Sequence, residues 1–89
     1  MRVIGQGRDW ISSELGDELM MMNIERGIYV GLNAMGAHIW RLIEAPRAVG
    51  DICAALVDAF EVDAGTCRAE VEAFVDKMEA RGLVTVEEA

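Results

Sequence analysis

The chain has 89 residues, with 8 Lys and Arg against 16 Asp and Glu, a net charge of −8 and 53% hydrophobic residues. One domain of this length buries only roughly 60% of the surface its unfolded form exposes, room for one core and not for a deep catalytic cleft. The acidic balance opposes nucleic-acid binding, which rests on cations meeting phosphates, and docking on anionic membranes; it suits a basic peptide or protein partner.

Residues 1–8 hold two Gly and two Arg without a period and are expected to form a flexible N-terminal tail. "DWISSEL" (Asp9 to Leu15) alternates and predicts a polar first strand, broken by Gly16-Asp17. "ELMMMNI" (Glu18 to Ile24) predicts a second strand, whose three consecutive Met suggest that both faces are covered. Glu25-Arg26-Gly27 supplies a turn. "IYVGL" predicts a third strand, with Ile28, Val30 and Leu32 on one side and Tyr29 and Gly31 on the other. The three strands form an antiparallel meander.

The period then becomes helical. Asn33 is a good N-cap, and Met35, Ile39, Leu42 and Ile43 follow at helical spacing up to Pro46. A second helix is expected from about Val49 to Phe60. Asp63 caps a third, longer helix to about Arg81, with Gly82 as its stop. In "LVTVEEA", Leu83 and Val84 can pack back on the core, and residues 85–89 are expected to be a C-terminal tail. The order βββααα predicts an α+β fold of winged helix-turn-helix type, a three-stranded antiparallel sheet in front of three helices.

Catalytic chemistry finds no footing in these residues. The only His, His38, has no Ser, Cys or carboxylate arranged with it as a nucleophile or base would need. Cys53 and Cys67 are neither a disulfide framework nor a zinc set and read as core thiols. No phosphate loop is present. The expectation is a protein that is not an enzyme and has no cofactor and no metal. MRVIGQGRD contains no apolar run and the apolar stretches are too short to span a bilayer, which points to the cytoplasm. The third helix offers Arg68, Lys77 and Arg81 among acids, so a winged-helix transcription factor is the weaker reading.

In a meander the third strand keeps one free edge. Ile28 to Leu32 is apolar and lacks Lys, Pro and inward charge, so it is open to strand addition by a peptide or to pairing in an edge-strand or swapped dimer. Four backbone hydrogen bonds at about 0.5–1.5 kcal/mol each, with one or two buried side chains, would give reversible affinity.

"DELMMMNIERGIYVGLNAMGAHIWRLIE", followed by "VGDICAALVDAFEVDAGTCRAEVEAFVDKMEARGLV", resembles the protein D family of pyrroloquinoline quinone biosynthesis. More broadly it is similar to the leader-recognition domains of ribosomally made, modified peptides. The pattern "YxGLNxxGxxIW" carries most of the resemblance, which covers roughly residues 9–84. Among these, the chain looks most like the stand-alone leader-binding protein of lasso-peptide biosynthesis. The resemblance implies a non-catalytic domain to which a precursor leader, often with a Tyr-x-x-Pro element, adds as an antiparallel strand. It implies a leader cysteine protease and a macrolactam cyclase as partners. The backbone contacts would fall on Ile28, Tyr29, Val30, Gly31 and Leu32. Val71, Phe74, Val75 and Met78 of the third helix would line a pocket, and Glu72 and Asp76 would pair with basic leader residues. The alternative is a peptide chaperone that serves a radical-SAM enzyme in quinone-cofactor biosynthesis.

Overall fold

A computed structural model describes residues 1–88. Its elements are β1 (Arg2–Gln6), β2 (Trp10–Leu15), β3 (Glu18–Asn23), β4 (Ile28–Leu32), α1 (Ala34–Leu42), β5 (Arg47–Ala48), α2 (Val49–Phe60), α3 (Ala64–Ala80) and β6 (Val84–Glu88). β2, β3 and β4 are the three predicted strands. They form an antiparallel sheet in the order β2-β3-β4. The fold is α+β, a three-stranded antiparallel sheet followed by three helices, as expected.

Local chemistry explains the turns. Gly16 has φ +67° at the first position of the two-residue β2–β3 loop, where a II′ hairpin needs a left-handed residue. The β3–β4 turn is built on Asn23. Its buried carboxamide accepts the Arg26 backbone N–H at 2.9 Å and donates to the Arg8 carbonyl at 3.3 Å. The Asn33 side chain caps α1 by accepting the Gly36 N–H at 2.9 Å, and Asp63 caps α3 through the Thr66 N–H at 3.0 Å. Gly82, at φ +77°, ends the α3 region.

Three expectations are corrected. Residues 1–8 do not form a loose tail: Arg2–Gln6 is a strand, and Ile4 within it is fully buried. Residues 85–88 are likewise strand, and Ala89 lies outside the described residues. β1 and β6 pair antiparallel, with Gly5 opposite Thr85, and β5 flanks β1 to complete a second sheet, β5-β1-β6. Neither short segment can form alone. Each exists because the other end of the chain supplies its hydrogen-bond partner. The third correction concerns the methionines. Only one face of β3 is covered: Met21 is buried, while Met20 is 37% exposed.

The core lies between the inner face of β2-β3-β4, the second sheet and the helices. Leu19, Met21, Val30 and Leu32 meet Ile39, Ile43, Ile52 and Leu56, with Val71, Val75 and Leu83 closing it. One junction locks the two sheets to the end of α3. The Gly7 N–H donates to the Leu83 carbonyl at 2.7 Å, and the Trp10 indole N–H to the Gly82 carbonyl at 3.0 Å. The Arg26 guanidinium donates to the Arg81 carbonyl at 2.8 Å, a cation at the negative end of a helix. The β2–β3–β4 sheet is therefore held in a set orientation to α3.

Candidate functional site

β4 is an edge. It pairs with β3 on one side, and no described strand pairs on the other. Along it the side chains alternate. Val30 and Leu32 are buried, Ile28 is half-buried, Tyr29 is 66% exposed and Gly31 faces solvent. Burial on one face fixes the strand's register, and the backbone groups that point away from β3 are presented in order. No Lys, Pro or inward charge guards them.

At the C-terminal end of this edge the chain turns through Asn33 into α1, and α3 comes alongside. Asn33, Met35, Gly36, Ile39, Glu70 and Phe74 surround a groove of about 280 Å³. Phe74 is half-buried and forms its wall, and the buried Ile39 forms its floor. Gly36 makes the approach of α3 possible. A Cβ there would stand 3.1 Å from the Phe74 ring and 3.4 Å from the Leu32 Cβ. Met35, Ile39 and Phe74 make most of its lining apolar, and Asn33 and the Glu70 carboxylate supply its polar groups.

The structure divides the expected site residues. Ile28, Tyr29, Val30, Gly31 and Leu32 form the open edge, and Phe74 lines the groove beside its end. Val71, Val75 and Met78 do not reach that groove. Their spacing of four and then three residues makes a stripe that faces the core, and all three are buried. Glu72 and Asp76 do not line the groove either. Each follows Glu70 or Phe74 by two residues, which is about 200° round the helix, on its far side. There Asp76 receives Arg2 of β1 at 2.9 Å and Glu72 lies 4.0 Å from the same guanidinium. The hydrogen bond to Asp76 raises the Arg2 pKa above its usual value. The two acids tie the second sheet to α3.

Sequence reasoning missed Asn33, Met35, Gly36, Ile39 and Glu70 as groove residues. The available signal was Gly36, a glycine in the first turn of a helix, where a packing glycine marks close approach of another element.

The remaining chemically active side chains are engaged elsewhere. The His38 ring meets Phe60 edge-on at 5.3 Å. Cys67 is buried, and burial, with Cys53 nearby, pushes its thiol pKa up, the direction of an inert thiol. Among the described residues no three His, Cys, Asp or Glu side chains are grouped as a metal would require. No described helix is long and apolar enough to cross a membrane.

Fold and site together define a small winged-helix-type domain that presents an unguarded sheet edge running into an apolar groove. The family model of coenzyme PQQ synthesis protein D (PqqD) matches residues 18–84, three-quarters of the chain, and the protein belongs to that family. No curated protein matches it by sequence. Its fold is similar to that of a chain in the solved structure "TbiB1 in Complex with the TbiA(beta) Leader Peptide", with a TM-score of 0.83 and 24% identity. The match covers 96% of this chain and 99% of that one.

Proposed function

We propose that the protein is a non-catalytic peptide-binding module that recognises the leader of a ribosomally made precursor, of the lasso-peptide type. The observation that carries this reading is the open edge of β4 ending at the Phe74 groove. A leader segment adds antiparallel to Ile28–Leu32, and its backbone supplies the hydrogen bonds that β4 lacks. One large apolar side chain of the leader, such as the Tyr of a Tyr-x-x-Pro element, enters the groove between Met35 and Phe74. Glu70 at the rim favours a basic leader residue, taking the role expected of Glu72 and Asp76.

The similar TbiB1 structure, solved with a leader peptide, supports this choice of ligand. Once bound, the precursor is carried at high local concentration to a leader cysteine protease and then to a macrolactam cyclase. Both operate in the cytoplasm under this reading. The match to the PqqD family model favours one second reading, in which the same edge delivers a precursor to a radical-SAM enzyme.

Titration of a synthetic leader into isotope-labelled protein tests the binding claim. Amide shifts are expected at Gly27–Asn33, in the first turn of α1 and around Glu70 and Phe74. Leader binding that leaves those amides unmoved would refute the site. Incubating the complex with each candidate enzyme separates the two readings, since only one of them ends in leader removal by a protease.

A further inference from the structure

α2 is apolar over more of its circumference than the core uses. Val49, Ile52 and Leu56 are its buried residues, and Phe60 extends their stripe. Gly50, Cys53, Ala54 and Val57 form a second stripe that ends at Asp58, spaced three and four residues apart and roughly 120° round the helix from the first. With Ala64 at the start of α3 they line an open groove of about 600 Å³, about twice the volume of the one beside Phe74. Gly50, Ala54 and Ala64 are exposed, and Cys53 and Val57 are half-buried. Gly50 points to a use for this groove. Its backbone is helical, and a Cβ there would meet nothing within 4 Å. Neither a left-handed turn nor a close neighbour in this chain calls for the glycine.

We propose that this groove docks an amphipathic helix of the macrolactam cyclase. The choice of enzyme rests on the peptide-binding reading above. The small side chains specify a helix as the occupant. Gly50, Ala54 and Ala64 let a second backbone come to the axial separation of packed helices, about 8–10 Å, with its apolar stripe over Cys53 and Val57. Charge specifies the flanks of that helix. From Val49 to Cys67 the chain carries Asp51, Asp58, Glu61 and Asp63 and no Lys, Arg or His. Asp58, Glu61 and Asp63 gather where α2 ends, at the negative pole of its dipole. Arg68 stands at the opposite end, in a hollow beyond Gly50. A partner helix with Lys or Arg at the Asp58 end is complementary, whereas a second copy of a chain with net charge −8 would set acids against acids. Position selects the enzyme. α2 packs on α1, α3, β1 and β5, and its groove shares no residue with the β4 edge or the Phe74 groove. The groove therefore stays open whether or not a leader is held. The protease must reach the peptide where it leaves β4. The cyclase acts after that cut, when the leader no longer tethers the core peptide, so capture depends on the enzyme already standing close by at a separate site.

The test uses the macrolactam cyclase as probe and the double variant Gly50→Gln/Ala54→Gln, which fills the groove without changing charge. Both positions are exposed and open, and the melting temperature of the variant verifies its fold. Leader affinity should stay within twofold of wild type. Cyclase affinity, read by calorimetry, should fall at least tenfold. Asp58→Lys should also weaken cyclase binding and flatten its salt dependence. Wild-type cyclase affinity in the folded double variant would overturn the proposal, and so would a wild-type protein that does not bind the cyclase at all. A loss of protease affinity in the double variant with cyclase affinity intact would overturn the choice of enzyme. A wild-type dimer in light scattering that the double variant dissolves would make the occupant a second copy and overturn it as well. The leader titration without cyclase reads the peptide claim separately. A protein that binds cyclase through this groove but not leader would keep the docking site and sink the β4 edge.

Discussion

Truncating Phe74 separates the core from the groove more sharply than any other single change. A fully buried Phe→Ala substitution costs about 3–5 kcal/mol. Phe74 is only half-buried: one side of its ring packs on the core and over Gly36, and the other lines the groove. Its truncation should therefore cost roughly half that figure, about 1.5–2.5 kcal/mol, in the free protein. In the complex the leader's apolar anchor loses the groove wall, and affinity should fall tenfold or more, at least about 1.4 kcal/mol. Denaturant unfolding of the free protein measures the first quantity and calorimetric titration with a synthetic leader the second. Val75→Ala is the control. Val75 is fully buried in the core, so its truncation should lower stability and leave the affinity of the folded fraction unchanged. A Phe74→Ala variant that lost the full core penalty and bound leader as tightly as wild type would refute the assignment.

Other expectations concern the scaffold. Gly7→Ala should be among the most damaging small substitutions. Its Cβ would collide with the Gly82 carbonyl oxygen and stand 2.9 Å from that of Leu83, so backbone must move; a loss of about 3 kcal/mol or more is expected in thermal or denaturant melts. Gly82→Ala should cost about 1–2 kcal/mol from its left-handed backbone alone, with further loss as the Arg26 guanidinium is pushed off the Arg81 carbonyl. Asp63→Ala should remove about 0.5–2 kcal/mol with the α3 cap, read in the same melts. Stability should also decline in alkali. The folded Cys67 thiol has its pKa raised above the usual 9.0, so the unfolded chain releases that proton first as pH rises. The contribution is whole below about pH 9 and is lost as pH climbs through the folded value. Cys67→Ala should lose that part of the slope in urea melts run across the alkaline range.

The helices and the central meander were legible in the sequence because their signals are local. Asn33 and Asp63 cap the helices they precede, the apolar period of 49–60 is that of α2, and Gly16 and Gly27 stand at the left-handed turn positions. The "GLNAMGAHIW" stretch and the free edge of β4 followed from the same local pattern and strand order. β1 and β6 were not legible, since their pairing joins segments some 80 residues apart and neither has a long alternating run of its own. The site divides in the same way. The sequence by itself determined the open strand, because alternation, the missing guards and the order of three strands suffice to leave Ile28–Leu32 on an edge. Only the tertiary structure decided which flank of α3 meets it. A stripe at helical spacing reports that a side is buried, not what covers it. Val71, Val75 and Met78 turned to the core, Arg2 claimed Glu72 and Asp76, and the groove fell to Glu70 and Phe74 because Gly36 lets α3 approach α1 on that side.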